Sequence, residues 1–239
     1  MSDDYQPLAA YGAQSNITIQ EARFKPGVSD DALVRAGRIG ARFIRPTDGF
    51  RSLIYIHDGQ RARVLSNWRD AAAIQRYHST VKPKMMEYEA THWPESPWQT
   101  ELAGMRTGTA TPYLVSPRMT VSHHDIVVWD PPAAVLIHDL SNIRDSAPLL
   151  ALWTGIAPET GRSPLLDHQG FMFFSACDFG GGDFSVYLGF QSDAQLERFL
   201  ASPFYAGYER ELGEILAARE AERVTARGRL ICGCVKHMG

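Results

Sequence analysis

The sequence predicts an α+β protein built from two tandem ferredoxin-like units, each with the element order βαββαβ. The first observation is an internal repeat, because Gly49–Phe50 recurs as Gly170–Phe171 and the pattern that follows is similar in both copies. The second is a hairpin turn signal between apolar runs in each copy, at Asp58–Gly59 and at Gly180–Gly182. The repeat period, from Gly49 to Gly170, is the length of a small domain. It therefore indicates a duplicated domain and not the short repeat unit of a solenoid.

The elements of the first copy follow from its local composition. Strands are predicted where β-branched and aromatic residues cluster, in Ile17–Phe24, Phe50–His57, Arg61–Trp68 and Met119–Val128. Ser29 and Asp70 are typical N-cap residues, and they predict one helix before the hairpin and one after it. Pro83 interrupts the second of these helices.

The second copy repeats this order of elements. Its strands are predicted in Ala134–Leu140, Phe171–Phe179, Phe184–Phe190 and Arg229–Val235. Pro148 stands in the first turn of a helix that begins near Ser146, where the missing N–H of proline costs nothing. Ser192 caps the helix after the hairpin, and Ser202–Pro203 restarts it.

Asp130–Pro132 marks the predicted boundary between the copies, because consecutive prolines exclude a helix across it. We expect a leader over residues 1–15, a first ferredoxin-like domain over 16–130 and a second over 133–239. The first domain is expected to contain an inserted segment at about 89–118, where tryptophans and prolines interrupt the repeat.

The overall composition is that of a globular protein, with 44% hydrophobic and 21% charged residues. The formal net charge of −3 argues against nucleic acid as a partner, because phosphate binding needs clustered lysine and arginine. The acidic start lacks the apolar core of a signal peptide, and no apolar run approaches the ~18 residues that span a bilayer. Three cysteines, an odd number, suit a reducing compartment. We therefore expect a cytoplasmic protein with no membrane partner.

The stretch GFQSDAQLERFLASPFYAGY in the second copy resembles the antibiotic biosynthesis monooxygenase family, within the dimeric α+β barrel superfamily. The family pattern is an aromatic residue at a strand end, an acidic helix cap and a helix that ends in a Ser-Pro step. The matching residues are Phe190, Asp193, Ser202 and Pro203, and in the first copy Trp68, Asp70 and Ala71. The resemblance implies two fused protomers that form a pseudo-dimeric α+β barrel, present as a monomer or a homodimer.

The same resemblance implies an oxygenase that acts on a polycyclic aromatic phenol or hydroquinone in aromatic polyketide (antibiotic) biosynthesis. The reaction would be oxidation to a quinone, or oxidative ring cleavage or rearrangement, with dioxygen as co-substrate. It implies no intrinsic metal or organic cofactor, and it leaves open reduced flavin supplied by a reductase partner. Relatives that bind haem use a histidine in the second helix, where this chain has Tyr77 and Phe199, so we do not expect haem.

The active cavity is expected in the first copy, because the hairpin of the second copy is almost entirely apolar. A general base, a phenol partner and an amide donor to a developing oxyanion would suit the implied chemistry. The expected catalytic residues are His57, Tyr55 and Asn67. The expected substrate-binding residues are Trp68, His78, His124 and Trp129.

Two other functions stay open on the sequence alone. One is a non-catalytic binding or cyclase-like protein for a hydrophobic polyphenol, which oxygen uptake would distinguish from an oxygenase. The other is a metal-dependent hydrolase that uses the pairs His57–Asp58, His124–Asp125 and His138–Asp139. Hydrolases of this type place such pairs on helices, whereas these pairs lie in predicted strands, where neighbouring side chains point to opposite faces.

Overall fold

The computed structural model describes residues 5–7, 15–24, 28–58, 61–96, 98–116, 120–122, 126–158 and 162–235. Its strands are β1 (Tyr5–Pro7), β2 (Ser15–Phe24), β3 (Phe50–Asp58), β4 (Arg61–Trp68), β5 (Trp98–Val115), β6 (Thr120–Ser122), β7 (Val127–Ser141), β8 (Phe171–Asp178), β9 (Phe184–Phe190) and β10 (Glu222–Val235). Its α-helices are α1 (Asp30–Ile44), α2 (Ala71–Arg76), α3 (Lys82–His92), α4 (Ala147–Ile156), α5 (Asp193–Leu200) and α6 (Pro203–Ala217). A π-helical turn spans Tyr77–Val81, and a 3₁₀ turn spans Pro164–Asp167. None of these helices combines the length and the apolar character needed to cross a membrane.

Eight of the strands form one closed antiparallel barrel in the order β10–β3–β4–β2–β5–β8–β9–β7, and β1 pairs with β6 apart from it. Each half of the chain supplies four neighbouring strands, and the halves join where β3 pairs with β10 and β5 pairs with β8. The prediction of two tandem ferredoxin-like domains forming a pseudo-dimeric α+β barrel is therefore wrong. The described chain is a single closed eight-stranded β-barrel with helices packed outside it, because hydrogen-bonded seams replace the free edges that two separate sheets would keep.

β2 pairs with β4 on one side and with β5 on the other. The last barrel strand of the first copy is therefore β5, and not the strand predicted at Met119–Val128. We expected an insertion at about 89–118 and a strand at Met119–Val128, but α3 ends at His92 and β5 begins at Trp98. β5 pairs with β2 along most of its length. Its sequence alternates threonine with small residues and lacks an apolar run, so composition did not predict a strand there.

β7 runs through the predicted domain boundary at 130–133. On β10, Leu230 pairs with Ala133 and Cys232 pairs with Val128, and the register shifts between these pairs. The two prolines of the boundary fall in this irregularity, where they need not donate a hydrogen bond to a neighbouring strand. The expected linker is therefore part of a strand.

Strand alternation divides the core into an inner layer and two outer layers. The barrel interior is filled by apolar side chains from both halves, among them Ile17, Ile19, Leu65, Ile137 and Tyr187. The outer layer of the second half is rich in aromatic rings, including Trp153, Phe174, Phe184, Phe190 and Phe199. The outer layer of the first half packs Leu53, Tyr55, Trp68 and Tyr77 against α1, and it encloses a cavity.

Candidate active site

A cavity of about 470 Å³ lies between the outer face of the first half's strands and the helices that cover it. Small-molecule sites in proteins typically measure ~300–1,000 Å³. The floor, from β2, β3 and β4, consists of Thr18, Gln20, Leu53, Tyr55, Val64 and Ser66. The α1 wall consists of Ala36, Ile39, Gly40 and Ile44. The roof, from the π-helical turn and α3, includes Tyr77, His78, Lys82, Met85, Met86, Glu89 and Trp93.

Strand alternation positions the polar groups of the floor. On β2, Ile17 and Ile19 point into the barrel and are fully buried. Thr18 and Gln20 therefore point to the opposite face, where they line the cavity. Thr18 pairs across the sheet with Ser66, so two hydroxyl groups lie side by side in the floor.

Tyr55 reaches under α1, and its hydroxyl donates to the carbonyl oxygen of Ala36 at 3.4 Å. Gly40 makes room for it, because a Cβ at this position would stand 2.7 Å from the tyrosine hydroxyl. Burial, followed by the nearby thiol of Cys232, raises the pKa of Tyr55 well above its ordinary value. Tyr55 therefore stays protonated at neutral pH and cannot act as a base, and its single proton is used in the hydrogen bond to Ala36.

The π-helical turn at Tyr77–Val81 brings two consecutive side chains, Tyr77 and His78, to the cavity. Its physical cause is Pro83, which has no N–H to donate to the carbonyl four residues before it. The N–H of Lys82 bonds instead to the carbonyl of Tyr77, five residues back. Such turns inside α-helices occur frequently at functional sites.

Trp68 supports the cavity from behind and does not line it. It is fully buried, and its indole N–H donates to the hydroxyl of Ser66 at 2.9 Å. Its ring packs on Tyr77 with the centroids 5.1 Å apart. Trp68 therefore fixes one residue of the floor and one of the roof.

Two side chains that line the cavity, His78 and Thr18, each have a buried polar atom without a hydrogen-bond partner among the described residues, Nε2 and Oγ1 respectively. Thr18 is only 3% exposed. Burial, with the charge of Lys82 acting in the same direction, lowers the pKa of His78 below 6.5. The imidazole is therefore neutral at neutral pH, and its unpaired Nε2 is available to exchange a proton with a ligand.

The residues of α3 that line the cavity were not predicted from the sequence. Lys82, Met85 and Glu89 follow the three-to-four-residue spacing of one helix face, and Trp93, just after the helix, continues it. Trp93 is buried, yet α3 itself buries none of its residues. A helix with a partly apolar face and no core contact indicates a helix that covers a cavity. This spacing was the signal that could have identified the roof.

Two of the predicted catalytic residues lie away from the cavity. Nδ1 of His57 lies 3.2 Å from a guanidinium nitrogen of Arg229 and 3.7 Å from the carboxylate of Asp30, at the start of α1. Asn67 is buried on the barrel side of β4, where its amide donates to the hydroxyl of Ser52 at 2.8 Å. Of the predicted set, the cavity brings together Tyr55 and His78.

Of the remaining predicted substrate-binding residues, the structure describes Trp129, which does not line the cavity. Trp129 packs against the cluster in the barrel interior. His124 lies outside the described residues. Within the described part of the chain, no group of three or more His, Cys, Asp or Glu side chains is placed to hold a metal ion. Asp58 and Asp139, from two of the His-Asp pairs, instead accept hydrogen bonds from Arg63.

No family model matches the sequence, and no curated protein matches it. Among solved structures, a candidate monooxygenase from Fusobacterium nucleatum superposes with a TM-score of 0.66 at 7% identity, covering 95% of this chain and 96% of that one. A candidate monooxygenase from Lactobacillus acidophilus gives 0.60 at 9% identity, with 94% and 97% covered. An anthrone oxidase-like protein gives 0.59 at 11% identity, with 97% of each chain covered. At these identities the likeness shows a shared fold.

Proposed function

We propose that the chain is an oxygenase that binds a flat aromatic phenol or hydroquinone in the cavity under α3. The observation that carries this proposal is the pair of unpaired buried atoms, His78 Nε2 and Thr18 Oγ1, in a cavity with largely apolar walls. A buried polar atom without a partner costs ~1–3 kcal/mol, which a phenolic ligand would recover by hydrogen bonding. The fold shared with two candidate monooxygenases and an anthrone oxidase-like protein supports the same class of reaction.

In the proposed reaction, neutral His78 accepts the phenolic proton and leaves an electron-rich phenolate. With a hydroquinone, two electrons pass from the ring to dioxygen, and the two hydroxyl protons complete hydrogen peroxide. This branch of the proposed activity is an oxidase reaction, because both atoms of dioxygen leave as peroxide and none enters the quinone. The hydroxyl group of Thr18, which has no partner among the described residues, would donate to the negative oxygen as charge develops. The apolar side chains of the roof, Met85 and Trp93, would keep water from the reacting ring.

The substrate we propose is of the kind that aromatic polyketide pathways make, a fused-ring phenol. Its support is the fold shared with the anthrone oxidase-like protein, since an anthrone is itself a fused-ring aromatic ketone. Product analysis distinguishes ring cleavage from oxidation to a quinone. Oxygen uptake measured with and without added reduced flavin shows whether the reaction uses it.

The proposal is tested by oxygen uptake with 1,4-naphthohydroquinone. His78→Gln should lower the enzymatic rate by ~10²–10⁴-fold, because it removes a positioned base. His92→Gln is the matched control, because His92 is exposed on α3 and does not line the cavity. The wild-type rate should fall on the acid side of pH 6.5, since protonated His78 cannot accept the proton. Ligand binding with no oxygen uptake above the protein-free rate would reject the oxygenase and favour a binding protein.

A further inference from the structure

We propose that the ligand of this cavity carries a carboxylate next to its phenolic hydroxyl, and that Lys82 binds the carboxylate while His78 meets the hydroxyl. The proposal deepens the function proposed above, because it concerns the same site and names the substrate class. It is argued from the charge pattern of the roof and can be tested by binding alone.

Lys82 is the first reason. Its side chain lines the cavity, is half-buried and forms no ion pair with any residue that the structure describes. Arg35, which donates to the carbonyl oxygen of His92 at the end of α3, is by contrast paired with Glu95. An ammonium group withdrawn from water without a counter-charge is unfavourable. Burial accordingly lowers the pKa of Lys82, and a ligand carboxylate would supply the missing charge.

The position of Lys82 relative to His78 is the second reason. The two residues are four apart across the π-helical turn, so they lie close to one another on the same face. The charge of Lys82 contributes to the lowered pKa of His78, which is a consequence of this proximity. A ligand with a carboxylate and a hydroxyl on adjacent ring carbons would present one group to each of these two side chains.

A negative charge further along α3 would orient the ligand in the cavity. Glu89 also lines the cavity, and its carboxylate accepts a hydrogen bond from the hydroxyl of Ser96 at 2.8 Å. It stands seven residues after Lys82, about 10 Å further along the helix. The roof therefore has a positive end and a negative end, and a ligand carboxylate at the Glu89 end would be repelled.

The test compares the dissociation constants of 1-hydroxy-2-naphthoate and 1-naphthol at pH 8, measured by quenching of tryptophan fluorescence. We expect the carboxylate ligand to bind about tenfold more tightly to the wild-type protein. Lys82→Met should abolish this preference, so that the ratio of the two dissociation constants falls to about one. Lys84→Met is the matched control, because Lys84 is exposed on the same helix and does not line the cavity. Thermal unfolding of both variants verifies that they fold.

Equal affinity of the wild-type protein for the two ligands, or an unchanged preference in Lys82→Met, would overturn the proposal. Its failure is distinguishable from that of the oxygenase. A preference that depends on Lys82 without any oxygen uptake rejects the oxygenase and keeps the carboxylate site. Oxygen uptake that depends on His78, with equal affinity for both ligands, rejects the carboxylate site and keeps the oxygenase.

Discussion

Arg63 and Asp139 form a two-point ion pair in the barrel, with Nη2 of the guanidinium 2.7 Å from Oδ2 and Nη1 3.0 Å from Oδ1 of the carboxylate. Arg63 lies on β4 in the first half, and Asp139 lies on β7 in the second. Arg63 is only 4% exposed, and it also donates to Asp58 at 3.0 Å. The halves of the chain are therefore joined by side chains inside the barrel as well as by the strand pairs that close it.

Asp139→Asn is predicted to lower the free energy of unfolding by about 1–3 kcal/mol, because Arg63 loses its two-point partner and keeps only Asp58 and Glu21. Urea unfolding at pH 7 measures the change. Asp167→Asn is the control, because Asp167 forms its ion pair with Arg162 at the surface, where such pairs contribute ~0–1 kcal/mol. Equal effects of the two substitutions would show that the barrel pair does not hold the halves together.

Asp139 should also make the fold sensitive to acid. Burial alone would raise the pKa of its carboxyl, but the hydrogen bonds and charge of Arg63 outweigh it and lower the pKa below 3.8. Because the folded pKa is the lower one, ionised Asp139 stabilises the fold above pH 3.8, and this contribution is lost as the pH falls through the folded pKa. The stability of Asp139→Asn should therefore change less than that of the wild type below pH 4.

His138 predicts a second loss of stability on acidification, at a higher pH than the loss caused by Asp139. Burial, with the charge of Arg223 acting in the same direction, lowers the pKa of His138 to about 4, and its Nδ1 lies 2.9 Å from the hydroxyl of Thr225. Between pH 6.5 and 4 the unfolded chain binds a proton that the folded chain refuses, so the fold should lose about 3 kcal/mol over this interval.

His138→Gln tests this account, because the amide can still bond to Thr225 but does not titrate. Urea unfolding at a series of pH values should give a shallower dependence between pH 6.5 and 4 than in the wild type. His92→Gln, a change at an exposed histidine, should leave the wild-type dependence intact. Parallel curves for the wild type and His138→Gln would contradict the assignment.

Gly40→Ala is predicted to disturb the cavity. The new methyl group would stand 2.7 Å from the hydroxyl of Tyr55, so either the ring or α1 must move. Overpacking of this kind costs ~1–3 kcal/mol, and it should also weaken binding of 1-naphthol. Gly213→Ala is the matched control, because nothing lies within 4 Å of its Cβ position on α6, and there alanine should stabilise the helix by ~0.5–1 kcal/mol. An unchanged affinity in Gly40→Ala would show that Tyr55 does not shape the site.

The sequence predicted most strands and helices of both halves, because capping residues and turn signals act locally. It did not predict how the strands close, because β5 carries threonine and small residues and lies where an inserted segment was expected. The long-range pairs of β3 with β10 and of β5 with β8 depend on which edges meet in the folded chain, and no local pattern encodes this.

The site, like the fold, was predicted from the sequence only in part. The polar character of the first half was visible, since the cross-strand pair Thr18–Ser66 of the first half is Leu136–Leu188 in the second. His57 and Asn67 were chosen for their chemistry, but strand direction and nearby partners decide where a polar side chain points. His78 was expected one position away from the family's helix histidine, and the irregular turn before Pro83 brings it to the cavity.

Pro83→Ala is the prediction that addresses this turn. The substitution restores an N–H that can donate to the carbonyl of Ser79, so the π-helical turn can become α-helical. The change would rotate His78 relative to Lys82 and remove Nε2 from its place in the cavity. We expect weaker binding of 1-hydroxy-2-naphthoate and slower oxygen uptake. Thermal stability should be unchanged or higher, because alanine is preferred to proline inside a helix by ~3 kcal/mol.

Pro203→Ala is the matched control for Pro83→Ala. Pro203 is the first residue of α6, where no helical hydrogen bond needs its N–H, so its replacement should leave binding and oxygen uptake as they are. Fluorescence quenching, oxygen uptake and thermal unfolding are measured on both variants. Wild-type affinity and rate in Pro83→Ala would mean that the π-helical turn does not position His78, and the base would have to be sought elsewhere in the cavity lining.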